Sequence, residues 1–230
     1  MRASLFIVLL SVAGLYAQGY LDDFAIVSRI LDSNGIYHFN IVKATKADSE
    51  RITWLDLRNR DPAKNFIKKI PESIGKLNRL KYLRLSYNNL TELPESIGEL
   101  TELEILDLRG NKLSKLPVSM QRCSRLKKID LRNNDLWEFP AVLIELKSLV
   151  YINLRGNEIA SLPENISYLT ALRELSLRNN RLTIIPTSLM RMKLTYLDLA
   201  DNRLCSLPPK FDSWMKKRNN RYKHKQWCYQ

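Results

Sequence analysis

The chain reads as an α/β solenoid, and three features of its 230 residues predict it. Leucine recurs at Leu80, Leu103, Leu126, Leu149 and Leu172, each 23 residues after the last, with a looser copy from Ile52 and a shortened one from Leu194. Within a copy the wording is L-x-x-L-x-L-x-x-N-x-L-x-x-L-P, as in residues 103–117. Apolar residues alternate through the first half of this phrase and return at helical spacing after the Pro. A fixed period of this length means that each copy is one supersecondary unit that cannot bury its apolar face alone. Stacked neighbours then build one continuous core.

In chain order, the first element is an address. Arg2 precedes an apolar run from Leu5 to Leu15, with small residues near Ala17 and Gly19. These are the parts of a secretory signal peptide, expected over residues 1–19. The run is shorter than the roughly 20 residues a spanning helix needs. The alternative is a helix that is retained, either buried or anchoring the chain at a membrane. Removal of the signal leaves a mature chain without a transmembrane segment, expected to be secreted, periplasmic or at the cell surface.

Residues 20–51 are expected to form an N-terminal cap, because an open solenoid needs its first core layer covered. Asp22 and Asp23 are placed to cap a helix in which Phe24, Val27, Ile30 and Leu31 share one face, and Asn34-Gly35 closes it. Ile36 to Val42 then alternates as a strand does. A unit of about thirty residues without metal or disulfide staples is too small for a separate domain.

Seven repeats are expected over 52–209. The pairs Leu83 with Leu85, Leu106 with Leu108, Ile129 with Leu131 and Ile152 with Leu154 mark short strands. Asn recurs at the ninth position as Asn88, Asn111, Asn134, Asn157, Asn180 and Asn202. Its amide can pair backbone groups that a tight turn leaves open. Pro ends the regular structure, and a stretch such as Glu95-Ser-Ile-Gly-Glu-Leu100 packs back as a helical turn, so the strands must be parallel. Cys123 occupies the slot filled by Leu77, Leu100, Leu146 and Leu169, which makes it a small buried hydrophobe.

Residues 210–230 form a basic C-terminal cap or tail. Seven Lys or Arg against one Asp give this segment +6 of the chain's formal +13. Phe211 to Tyr222 can make a terminal helix whose Trp214 and Met215 cover the last core layer. The basic side is then either plain solvated surface or a patch for acidic partners. For an exported protein, envelope or matrix polyanions are within reach, and nucleic acid is not an expected partner. A disulfide between Cys205 and Cys228 would pin this end and suits an oxidising compartment.

The phrases I-P-E-S-I-G-K-L-N-R-L at 70–80 and L-P-E-S-I-G-E-L-T-E-L at 93–103 resemble the leucine-rich repeat family, and the likeness spans about two-thirds of the chain. They are similar to its 23-residue class, which includes Ras-suppressor-like scaffolds, plant disease-resistance proteins and bacterial repeat proteins. The resemblance implies a right-handed horseshoe, with a concave parallel sheet that binds other proteins and short helical or irregular turns on the convex side. Two features depart from it. The first repeat carries about five extra residues around Asp61 to Asn65, since 28 separate Ile52 from Leu80 where 23 are usual. An export signal is also foreign to the cytosolic Ras-pathway relatives, so their partners are not carried over.

Side chains at positions three, five, seven and eight of each repeat point away from the leucine core and form columns along the concave face. Position three reads Trp54, Tyr82, Ile105, Lys128, Tyr151, Glu174, Tyr196. Position five reads Asp56, Arg84, Asp107, Asp130, Asn153, Ser176, Asp198, and position seven reads Arg58, Ser86, Arg109, Arg132, Arg155, Arg178, Ala200. The expected ligand-binding residues are Trp54, Tyr82, Arg109, Lys128, Arg132, Tyr151, Arg155, Arg178 and Tyr196. The Arg run has two readings. One is bidentate capture of carboxylates, sulfates or acidic side chains. The other is lateral pairing with Asp at position five, worth about 0–1 kcal/mol per exposed pair. Arg155 and Arg178 stand near Asn153 and Ser176 rather than acids, so they are expected to be the least neutralised.

Other chemistry is thin. Asn89-Leu-Thr and Asn165-Ile-Ser are glycosylation acceptors usable only in a eukaryotic secretory host. His38 and His224 lie far apart without a ligand pattern, so no metal is expected. There is no nucleophile elbow, phosphate loop or paired catalytic carboxylate, and therefore no expected enzyme activity, cofactor or small-molecule substrate. The expectation is a non-catalytic, exported module that binds an acidic protein or peptide on its concave face. The alternatives are an intracellular Ras-suppressor-like scaffold that keeps residues 1–17, and a surface adhesion protein that binds polyanions through the basic tail.

Overall fold

Every repeat contributes one short strand and one tight turn, and the strands stack in the order in which they occur. The structure, a computed structural model, describes residues 18–216 except 38, 49, 62–65, 206, 208 and 209. Helix α1 (Gln18–Ser33) and the single turn α2 (Ile41–Ala44) lead into strand β1 (Thr45–Ala47). The repeat strands follow as β2 (Ile52–Asp56), β3 (Tyr82–Arg84), β4 (Ile105–Asp107), β5 (Lys128–Asp130), β6 (Tyr151–Asn153), β7 (Glu174–Ser176) and β8 (Tyr196–Asp198), and helix α3 (Phe211–Lys216) ends the described chain. All eight strands form one sheet in sequence order. Strands β2 to β8 pair in parallel and β1 runs antiparallel to β2, covering the edge that the first repeat would expose. The architecture is the α/β solenoid that the period predicts, with the parallel sheet and short helical turns that the resemblance implies.

The helical segments between strands are five-residue 3-10 turns, from Glu72–Lys76 to Thr187–Arg191. Each begins after a Pro in extended conformation, such as Pro94 or Pro163. The Pro carbonyl accepts the first turn hydrogen bond, as in Ile97 N–H to Pro94 O at 3.1 Å. Pro thus both ends one repeat's loop and opens its turn, at a place where its missing N–H costs nothing.

The leucine positions are buried throughout, and Cys123 lies among them with no exposed surface. Burial pushes its thiol up to about 11. The Asn column does what its chemistry allows. Asn134 Nδ2 donates to Leu108 O at 3.0 Å and Leu131 O at 2.9 Å, while its Oδ1 accepts from Leu113 N–H at 3.0 Å. The same triplet recurs at Asn88, Asn111, Asn157, Asn180 and Asn202. At Asn88 the accepted donor is Ile67 N–H at 2.9 Å, so the extra residues of the first repeat are absorbed between Asn59 and Ile67, and the ladder resumes in phase.

The N-terminal cap differs from expectation in two ways. Helix α1 starts at Gln18, so Asp22 and Asp23 sit inside it rather than at its N-cap. Asp23 is fully buried and serves a tertiary role. It takes two hydrogen bonds from Arg51, at 2.9 and 2.7 Å, and one from Ile52 N–H at 2.8 Å, tying the helix to the first repeat strand. The described residues of 36–42 form no strand. The chain turns at Gly35 (φ 69°) and enters α2 capped by Asn40, so the edge strand comes later, at Thr45–Ala47. The apolar face of α1 is as expected, with Phe24, Val27, Ile30 and Leu31 buried.

At the other end, Phe211 and Met215 of α3 are buried and Trp214 packs half-buried against the last core layer. The rest of the expected terminal helix, the basic tail, Cys228 and hence the Cys205–Cys228 pairing lie outside the described residues, as do residues 1–17 of the expected signal and His38.

Candidate functional site: the concave sheet

Register places the expected residues in true columns. Trp54, Tyr82, Ile105, Lys128, Tyr151, Glu174 and Tyr196 are successive Cα partners across the sheet, and so are the residues of position five. Neighbouring strands lie about 4.8 Å apart, so position three forms a row of side chains about 29 Å long over six steps. Tyr82 and Tyr196 are 36% and 37% exposed, Trp54 and Tyr151 are half-buried, and Lys128 stands free in solvent. Trp54 is held between two cations, with Lys46 Nζ 5.3 Å and Arg84 Cζ 5.8 Å from its ring.

Most of position five is buried rather than a contact surface. Asp56, Asp107, Asn153 and Asp198 are buried beneath the flanking columns. Their Oδ1 atoms accept the backbone N–H two residues on, at 3.1–3.3 Å, and so hold the turn that follows each strand. This leaves the second carboxylate oxygen for the guanidinium at position seven. Arg58 meets Asp56 at 3.0 Å, Arg109 meets Asp107 at 3.5 Å and Arg132 meets Asp130 at 3.0 Å. Burial lifts the Asp130 carboxyl above its ordinary range, against the pull of Arg132.

The last two arginines part company, which corrects for Arg178 the expectation that both are the least neutralised of the column. Arg178 pairs with Asp201 of the next repeat at 2.8 Å. Arg155 is exposed and has no acidic partner among the described residues. Tyr151 is coupled to the same strand end: its hydroxyl accepts from Asn153 Nδ2 at 3.0 Å, and burial raises its phenol.

Two residues of this face were not singled out by the column reading. Arg84 replaces the acid or small polar residue of position five and stacks on Trp54. Tyr87 stands at position eight, 49% exposed, with Arg109 Cζ 5.3 Å from its ring. A comparison down position eight finds it, because the later repeats place Gly110, Asn133, Gly156, Asn179 and Asp201 there. Among the described residues no group of His, Cys, Asp and Glu is placed to hold a metal, and no helix is long and apolar enough to cross a membrane.

Known proteins bear on this geometry. A family model described as a leucine-rich repeat region matches residues 54–150, and a second, described as a leucine rich repeat, matches 124–182 and 147–204. No curated protein matches the chain. Among solved structures, a leucine-rich repeat protein of Leptospira interrogans is similar at 33% identity and a TM-score of 0.62, over 66% of this chain and 39% of that one. The plant peptide hormone receptor RGFR1 in complex with RGF2 is similar at 31% identity and a TM-score of 0.55, over 60% of this chain and 23% of the receptor. The chain thus spans well under half the length of either. Repeat period, parallel register, Asn ladder and family matches agree: the chain belongs to the leucine-rich repeat family.

Proposed function

We propose that this chain is a non-catalytic, exported module that binds a protein or peptide along its concave sheet. Leucine-rich repeat domains generally mediate protein–protein binding and act as non-catalytic scaffolds. The observation that carries the reading is the row of Trp54, Tyr82, Tyr151 and Tyr196, partly exposed on a rigid parallel sheet. Aromatic side chains held in place by a sheet supply large contact area at little entropic cost, which is why they dominate binding hot spots. The likeness to a peptide hormone receptor solved with its ligand supports a polypeptide occupant. Export rests on Arg2, the apolar run at 5–15 and the small residues that follow. The acidic character proposed for the ligand rests on the Arg column.

A pull-down with the mature form as bait, from the compartment that receives it, identifies the partner. Tyr82→Ala, Tyr151→Ala and Tyr196→Ala should then each weaken its binding by about tenfold or more, with unchanged thermal unfolding. Affinity that is unmoved by all three overturns the concave-face assignment. Intact mass is the check on export: a mature chain lacking 17–19 residues supports it, and a full-length cytosolic chain favours the intracellular scaffold instead.

A further inference from the structure

The Arg column is uniform in sequence and uneven in charge. Arg58, Arg109 and Arg132 are neutralised by the acid two residues upstream, and Arg178 by an acid one repeat on. Arg155 has an amide in both of those places. Position five of its own repeat is Asn153, and the counterpart of Asp201 is Asn179. Asn153 keeps the structural half of the acid's role, since its Oδ1 accepts the Arg155 backbone N–H at 3.1 Å. It omits the electrostatic half, because the remaining end of its side chain is an Nδ2 that donates to Tyr151 Oη at 3.0 Å. A hydroxyl oxygen that accepts keeps its own proton available. Tyr151 also stands in register with Lys128, which is exposed and has no ion pair among the described residues. Strands β5 and β6 and the turn just beyond β6 therefore carry two cations without an ion pair among the described residues and a donating hydroxyl.

We infer that Arg155, supported by Lys128, takes a carboxylate side chain from the bound polypeptide, which supplies from outside the acid that the neighbouring repeats supply from within. The inference rests on concave-face polypeptide binding and adds one thing to it: acid recognition is focused at β5–β6 rather than spread along the Arg run. The internal precedents choose the ligand chemistry. Each neutralised guanidinium of this column is ion-paired with the carboxylate of an Asp side chain, and at Arg155 the missing partner is that same group. An Asp or Glu of an extended peptide crossing the strands restores it with the charge-assisted hydrogen bonds guanidinium favours. Arg109, Arg132 and Arg178 are already paired, so they contribute little to discrimination between acidic and neutral ligands.

The fold itself offers the test. Asn153→Asp recreates the pairing found at Asp56, Asp107 and Asp130 and leaves Arg155 in place, so it neutralises the cation without removing a side chain. A phage-displayed library of random twelve-residue peptides, selected on the immobilised chain, is the probe; the displayed segments carry no free C-terminus, so any acid selected is a side chain. Selected peptides should share an Asp or Glu whose change to Asn or Gln lowers affinity by about tenfold or more in calorimetric titration. Asn153→Asp should lower the affinity of the parent peptides to the same extent, and the two losses should not add, because they remove one interaction. Arg155→Met serves as the second variant and should behave alike, whereas Arg109→Met should leave the acid preference intact. Peptides that bind without a common acid, or whose affinity ignores both Asn153→Asp and Arg155→Met, overturn the inference and leave concave-face binding standing. Failure to select any peptide counts against both.

Discussion

Tyr87 is the residue at which this chain spends stability without an internal return. Its φ of 57° lies in the left-handed region, as do those of Gly110, Asn133, Gly156, Asn179 and Asp201 at the same position of the later repeats. Those residue types tolerate the conformation; an aromatic residue there costs on the order of 1–2 kcal/mol. Burial does not offset the cost, because the ring is half-exposed. The next repeat accommodates it instead. Gly110 lies under the ring, where a Cβ would approach Tyr87 Cδ1 to 2.7 Å, and Arg109 sits 5.3 Å from its centre. Strain kept at an exposed aromatic on the binding face fits a contact residue. Tyr87→Asn should therefore raise stability by about 1 kcal/mol, read as a higher urea midpoint at unchanged slope, and should weaken binding of the partner. A lower midpoint would mean that the Arg109 contact outweighs the strain. At this scale the leucines and asparagines are legible in the sequence because they recur with the period. The pairing of an arginine is less so, because its partner can sit 23 residues on, as Asp201 does for Arg178, or be missing among the described residues, as for Arg155.

At the scale of elements, strand and turn are coupled through the Asn ladder rather than through strand length, since most strands have only three residues. Each amide joins the carbonyls that end two adjacent strands and the N–H that leaves the earlier turn. Asn134→Ala leaves Leu113 N–H unpaired inside the stack, while Leu108 O keeps Asn111 Nδ2 and Leu131 O keeps Asn157 Nδ2 as donors. A buried group left unpaired costs about 1–3 kcal/mol, so a loss of about that size is expected in chemical denaturation. Asn134→Asp is nearly isosteric and should be no milder, because it turns two donors into an oxygen facing two carbonyl oxygens. Equal stability of Asn134→Asp and wild type would show that the amide acts as filler rather than as a hydrogen-bond bridge. The ladder was legible from one recurring letter. The cap was not. Asp22 and Asp23 suit a helix start by their chemistry, yet Asp23 is drawn inside α1 by Arg51 and the Ile52 N–H, partners 28 and 29 residues away. Local preference yields there to a buried tertiary contact, and the strand read at 36–42 fails for a related reason, because the edge of the sheet can be covered only where the chain arrives beside β2.

For the whole molecule, the decisive property is that each repeat touches only its neighbours, so stability accrues by layers and the ends are where it is lost. The N-terminal end is locked by β1 and by Asp23. The C-terminal end depends on α3, a helix of six residues. Phe211 has no exposed surface, Met215 has almost none, and Phe211 packs with Trp214 at a ring separation of 5.5 Å. A helix this short does not persist on its own hydrogen bonds, so its apolar contacts with the last repeat must hold it. Phe211→Ala removes the largest of them, at a cost of about 3–5 kcal/mol if the layer stays closed. In a chain of nearest neighbours, that cost is met more cheaply by opening the last layer than by weakening every one. Amide exchange should therefore accelerate first in β8, then in β7, while β3 to β5 keep wild-type protection. Uniform acceleration from β2 to β8 would instead mean that the solenoid unfolds as one cooperative unit. That distinction matters for binding, because Tyr196 lies in β8 and Arg155 just beyond β6. Under layered opening, a partner held at both points should restore protection in the Phe211→Ala chain; under a single cooperative transition, it should raise protection everywhere alike.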